Sequence, residues 1–291
     1  MNKKIVAIAT SLVVGGGVLM GTAYANASSM TGYESYKSAI KETKNLKNET
    51  VALKISVTDT GKELVNVDSN IKINLATSAM SQATTVKSTT GSQTFSNYNQ
   101  AGKSVSKSSD SEVYNVRENS HNNFNKKAEN MNPEIAKSVE TVVDTLVGNM
   151  KNNVTVTNNG DGAKTVAIKL NENEIVPLVN AVTSMAMTKG NDEPMMNEKA
   201  GKMNFKNLVP QLISDIKVTS VDVTGDINKD NTIKDQTAKI MIRGKDAQGK
   251  LHEITINATL NLTNINSTTP DTVDLTGKQV KTMTNEFKGR D

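Results

Sequence analysis

The chain of 291 residues contains no cysteine and no tryptophan, and only 3% of its residues are aromatic. Without cysteine there are no disulfides, no thiolate zinc sites and no cysteine nucleophile. With so few rings, a core or pocket must be built from Val, Ile, Leu, Ala and Met. Charge of one sign is also missing. Removing residues 1–27 takes away two lysines and no acid, leaving 32 basic against 30 acidic groups. The pI near 9.0 therefore reflects a small imbalance and not a basic face, which argues against nucleic acid as a partner. Catalytic signatures are lacking too: there is no HExxH, Walker loop, GxGxxG or serine elbow, and the chain reads as non-catalytic with no cofactor.

The N-terminus carries a compartment signal. Lys3 and Lys4 precede an apolar run from Ile5 to Met20, and Ala23-Tyr24-Ala25 and Ala25-Asn26-Ala27 are small-residue cleavage patterns. The run approaches spanning length, so an uncleaved anchor is the alternative. Gly15, Gly16 and Gly17 weaken a permanent helix, and we read residues 1–27 as a signal peptide. The mature protein is then secreted or envelope-associated, with no membrane span. No Cys follows the apolar run, which excludes a diacylglycerol anchor.

Residues 28–270 read as one domain and 271–291 as a C-terminal tail. Thr31-Gly32-Tyr33-Glu34 is a capping box opening a helix to about Leu46. The period then changes to two. Val51, Leu53, Ile55 and Val57 alternate with polar residues, Asp59-Thr60-Gly61-Lys62 makes a hairpin turn, and Val65, Val67, Ile71, Ile73 and Leu75 carry the return strand. Further short alternating runs reach Val116. Asn132 and Pro133 open a second helix whose apolar face is Ile135, Val139, Val142, Val143, Leu146 and Val147. A hairpin over 154–168 follows, and then Asn171 and Glu174 form a capping box at the start of a third helix. Residues 188–207 have no period and read as a loop. Three strands finish the domain. Ile216 and Val218 lie on one parity and Val221 and Val223 on the other, which predicts a bulge near Thr219-Ser220. The fold class is α+β: about eleven strands in a strongly curved antiparallel sheet, a half-barrel, closed by about three helices.

Three stretches invite a chemical reading. The decapeptide at 226–235, DINKDNTIKD, spaces Asp226, Asn228 and Asp230 like the start of a calcium loop. Position 6 is Asn231 where the loop needs Gly, position 12 is Thr237 where it needs Glu, and the flanks are strands. A polar turn is the better reading, and no metal site is assigned. Of the two histidines, His121 sits in a polar stretch, while His252 shares parity with Ile254 and Ile256 and faces inward near a strand end, with Glu253 on the opposite face. Met185, Met187, Met195, Met196 and Met203 suit either Cu(I) or flexible apolar filler. No histidine lies near them, and a Met-lined flap over an apolar cavity fits the architecture better.

The order of helix, long meander, helix, hairpin, helix and closing strands resembles the LolA-like lipoprotein-carrier superfamily, with the LppX-type envelope lipoproteins and GerS. The segments Asp59-Thr60-Gly61-Lys62, Lys250-Leu251-His252-Glu253 and Asp274-Leu275-Thr276-Gly277-Lys278 are similar to exported proteins of spore-forming bacteria. The resemblance implies a half-barrel closed by helices over an apolar cavity. Its expected lining is Ile135, Val139, Val142, Leu146, Met185, Met195, Met196 and Met203, and its expected occupant a lipid, acyl chain or apolar peptide. A structural role in the envelope or spore, with a protein partner and no ligand, is the alternative.

Overall fold

The computed structural model describes residues 32–118, 153–175 and 208–283. One helix, α1 (Gly32–Lys44), precedes twelve strands. These are β1 (Asn48–Asp59), β2 (Lys62–Asn74), β3 (Ala79–Ser88), β4 (Gly91–Gln100), β5 (Lys103–Ser108) and β6 (Val113–Glu118), then β7 (Val154–Asn158) and β8 (Lys164–Asn171), then β9 (Ser214–Ile227), β10 (Ile233–Lys245), β11 (Leu251–Thr263) and β12 (Gln279–Thr282). All twelve form one open sheet in the order β12-β6-β5-β4-β3-β2-β1-β11-β10-β9-β8-β7. Sequential strands joined by short turns pair antiparallel, and only β12 lies parallel to its neighbour β6. The described fold is thus mostly β, an antiparallel sheet with few helices.

The period-two reading holds along the central strands. On β11, His252, Ile254, Ile256, Ala258 and Leu262 are buried, and the residues between them are partly or fully exposed. Ile240 and Ile242 of β10 and Val57 of β1 stand in register with this row. Residues aligned across antiparallel ladders share a face, so these side chains form one apolar surface, here termed the α1 face. The amphipathic stripe of α1 seals one end of it, packing Tyr36, Ala39 and Ile40 against Val166, Ile227, Ile233 and Leu262. The other end is covered by Leu212 and Val209, buried with Ile175 against Leu170, Val221, Ile242 and Ile254.

Three local expectations are met. The register of β9 against β10 shifts between Met241 and Ile242, whose partners are Ser220 and Val218, which leaves Thr219 as the extra residue of a bulge. The β1–β2 connection places Thr60 at φ 48° and Gly61 at φ 80°, the positive pair that a two-residue type I′ hairpin requires. At the third helix the Asn171 amide donates to Glu174 at 2.8 Å and the Asn173 amide donates to the Asn171 side chain at 3.1 Å, the reciprocal bonds of a helix start.

Others are corrected. Among the described residues there are twelve strands, where about eleven were expected. Leu75 leaves β2, because the Asn74 side chain accepts from the Thr77 amide and turns Leu75–Thr77 into a 3₁₀ segment. The segment expected as a C-terminal tail, 271–291, is described as far as residue 283 and packs on the sheet there. Asn264–Lys278 crosses the face opposite α1 as a strap and delivers β12 to the edge of β6. Its anchors are polar. The Asn48 side chain accepts from the Thr268 amide at 2.6 Å and donates to the Thr268 carbonyl at 2.9 Å. The Thr50 and Thr268 hydroxyls bond at 2.8 Å, Asp271 meets Lys72 at 2.7 Å, and the Gln100 amide bonds Val273 in both directions. The helix expected over 133–148 lies outside the described residues.

Candidate functional site

The most convergent polar cluster is built on His252. Its ring stands on the α1 face at the start of β11, with 5% of the side chain exposed. Nδ1 lies 2.7 Å from Oδ2 of Asp59, and Nε2 lies 3.1 Å from Oδ2 of Asp246. Asp59 ends β1, and Asp246 opens the β10–β11 turn, so one ring joins two hairpin connections. Each carboxylate is itself fixed. Asp59 Oδ1 accepts from the Glu253 amide and the Thr60 hydroxyl, while Asp246 Oδ1 accepts from the Gln248 and Lys250 amides at 2.9 Å each. Two acceptors on two ring nitrogens favour the imidazolium, since only the cation donates from both. The hydrogen bonds to Asp246 and then Asp59 accordingly raise the His252 pKa above its ordinary 6.5, and the bond to His252 holds the Asp246 carboxyl below its ordinary 3.8. With both nitrogens engaged and the ring buried, this cluster is a cross-link. Sequence reasoning placed His252 inward; it read Asp59 only as a turn residue.

The decapeptide at 226–235 is a hairpin connection. Its Asn228 side chain accepts from the amides of Asp230 at 3.0 Å and Thr232 at 3.1 Å, folding the turn on itself. Asn231 takes the left-handed conformation at φ 57°, and its side chain donates to Ser38 of α1. Asp226 accepts from Thr165 of β8 at 2.6 Å. Of the ligand-like oxygens, that of Asn228 therefore serves the turn and that of Asp226 the strand pair, while Asn231 makes the helix contact through its amide nitrogen. Among the described residues no group of three or more His, Asp or Glu is arranged to hold a metal ion. A shallow depression of about 440 Å³ opens beside this turn, lined by Asp161, Thr165, Asp226, Lys229 and Lys234 among others. Its lining mixes both charge signs.

The α1 face between its two covered ends is the remaining candidate. Val51, Leu53, Ile71, Ile73 and Leu260 are only partly buried there, and they adjoin the small residues Ala238 and Ala258, which pack with Leu53 and Ile55. All eight residues expected to line a cavity (Ile135, Val139, Val142, Leu146, Met185, Met195, Met196 and Met203) lie outside the described residues.

No protein-family model matches the chain. No curated protein matches it. Among solved structures, the ywiB protein from Bacillus subtilis is similar over 74% of this chain and 91% of its own, at 7% identity and a TM-score of 0.15. At that level of superposition the likeness does not define a shared fold.

Proposed function

We propose that the chain is an exported, non-catalytic binding protein that holds an apolar ligand against the concave side of a curved sheet. The architecture would be a half-barrel of the LolA-like kind, and the ligand a lipid, an acyl chain or an apolar peptide. One observation carries the reading. Most of the central α1 face is buried, yet Val51, Leu53, Ile71, Ile73 and Leu260 form a contiguous, half-exposed apolar patch across β2, β1 and β11. Apolar sites of this sort are lined by aliphatic side chains and few polar ones. A pyrene-labelled alkyl chain without a charged head group should bind with micromolar affinity. Leu53→Trp should weaken binding at least tenfold with an unchanged circular dichroism spectrum, because a larger ring occupies the patch. Native mass spectrometry of protein purified from its host should show co-purified lipid. A protein that binds no such probe and carries no lipid would favour the second reading, a structural or interaction component of the envelope or spore. The observation for that alternative is at the sheet's two ends, where Val156 of β7 and Val280 of β12 are 37% and 44% exposed.

A further inference from the structure

The α1 face is not uniform. Three in-register rows cross it, and each changes character between β2 and β4. Val51–Ile71 continues into Gln82–Asn97, Leu53–Ser69 into Thr84–Phe95, and Ile55–Val67–Val86 into Gln93. Strands β11, β1 and β2 thus present mainly aliphatic side chains, with Ser69 the exception, while β3, β4 and β5 set Gln82, Thr84, Gln93, Asn97 and Ser106 beside Val86 and Phe95. These polar residues are not a solvated surface. Ser69, Thr84 and Gln93 are only 2%, 7% and 4% exposed. Ser69 and Thr84 satisfy each other at 2.7 Å, and Gln82 donates to Thr84 at 3.1 Å. Gln93 is different. One end of its amide bonds Ser108 at 2.8 Å, and the other is buried without a partner. A buried amide atom left unpaired is costly and needs an explanation.

Charge on this face is confined to its margin, where Glu49 stands in the row of Ile73 with one carboxylate oxygen buried and unpartnered. Between the row of Val51 and the row of Val57, every residue that β1 to β5 place on this face is uncharged; Lys54, Asp68, Lys72, Lys87 and Lys107 stand on the opposite face. We propose that the occupant of the α1 face is a neutral amphiphile. Its tail lies over β11, β1 and β2, and its uncharged head, rich in hydroxyl or amide groups, lies over β3 to β5 and meets the free end of Gln93. From β11 to β4 is four strand spacings, roughly 19 Å, which accommodates a tail and a head side by side. A carboxylate, phosphate or ammonium head would be desolvated there with no opposite charge to meet it. This assignment rests on the binding function proposed above and deepens it.

The test is displacement of the pyrene-labelled alkyl probe by three twelve-carbon amphiphiles below their micellar concentrations: monolauroylglycerol, laurate and dodecylammonium, at pH 7. Monolauroylglycerol should compete at least tenfold better than either charged amphiphile. Gln93→Leu should shrink that preference towards unity and leave the affinity for the headless probe unchanged. Gln82→Leu, at a partly exposed position of the polar half, should shrink it too, and covers the case in which the Gln93 variant fails to fold. If the probe binds but the three head groups compete equally, or neither variant alters the ranking, the neutral-head assignment is overturned and the binding function stands. If the probe does not bind at all, both fall together.

Discussion

Placing one methyl group on Gly225 should separate a steric contact from a backbone effect. Gly225 lies on β9 between Val166 of β8 and Gln236 of β10, and the Tyr36 ring of α1 rests on it. A Cβ built there would stand 3.0 Å from Cε2 of Tyr36 and 3.5 Å from Cδ2. Tyr36 is 3% exposed and flanked by the buried Ala39 and Ile40, so the ring has little room to withdraw. Gly225 is not among the positive-φ glycines, so alanine meets no backbone strain. In a strand interior, replacing Gly by Ala is worth about 0.5–1 kcal/mol in reduced unfolded-chain entropy. Overpacking a filled core costs about 1–3 kcal/mol. The steric term is the larger, and Gly225→Ala should destabilise the protein by about 1–2 kcal/mol. Tyr36→Leu removes the Cε atoms. In that background the same Gly225→Ala change should be neutral or stabilising by about 0.5 kcal/mol. Equilibrium urea denaturation of the two single variants and the double variant, followed by far-ultraviolet circular dichroism, reads the coupling directly. An equal effect of Gly225→Ala in both backgrounds would refute the contact and with it the docking of α1 on this face.

Two further outcomes follow from the polar anchors. His252 has a folded-state pKa above 6.5, so its contribution is complete below about pH 6.5 and is lost as pH rises through the raised value; Asp246 has one below 3.8, so its contribution is complete above about pH 3.8 and is lost as pH falls through the lowered value. Stability measured by urea denaturation across pH should therefore be greatest between about pH 4 and 6.5, and His252→Leu should flatten the alkaline limb; an unchanged limb would mean that the ring is not held as the cation. On the strap, Thr268→Val leaves the buried Thr50 hydroxyl unpaired and should cost about 1–3 kcal/mol, whereas Lys72→Met removes only the ion pair to Asp271 and should cost at most about 1 kcal/mol. The reverse order would show that the strap is fastened at its Asp271 end.

What could be read from the chain alone depended on whether the signal was periodic. The β1 and β11 rows, the parity break at Thr219 and the turns at 59–62 and 228–232 are all local patterns, and they appear in the structure where the residues place them. Leu75 misled because it kept the parity of β2; the Asn74 cap that ends the strand is a side-chain choice outside the hydrophobic pattern. The strap has no period because polar bonds to Asn48, Thr50, Lys72 and Gln100 hold it and no apolar face guides it. The His252 cluster was half legible. Parity turned the ring inward, but Asp59 is 193 residues away and becomes a neighbour only through the pairing of β1 with β11. The expected cavity lining falls on residues outside those described, and the polar half of the α1 face had no signature, since short Ser-, Thr- and Gln-rich alternations read as wetted strands.

That same pairing explains why the polar anchors sit where they do. Leaving aside β12, the ladder between β1 and β11 is what joins the N-terminal strands β1–β6 to strands β7–β11, over ten residue pairs from Thr50–Thr263 to Asp59–Ile254. A one-residue slip of this seam would turn every apolar side chain to the wrong face, and the hydrophobic pattern forbids it. A two-residue slip is a different matter. Val51, Leu53, Ile55 and Val57 would still face inward opposite Leu262, Leu260, Ala258, Ile256 or their neighbours, and burial alone would discriminate weakly. The ends of the seam discriminate strongly. At one end Asp59 must meet His252 at 2.7 Å, and at the other Thr50 must meet Thr268 at 2.8 Å, both in buried or nearly buried surroundings. A shift of two residues moves the partners by roughly 7 Å, which breaks both contacts and strands their polar groups. Directional bonds at the two ends thus fix the register between two halves whose aliphatic rows would tolerate more than one.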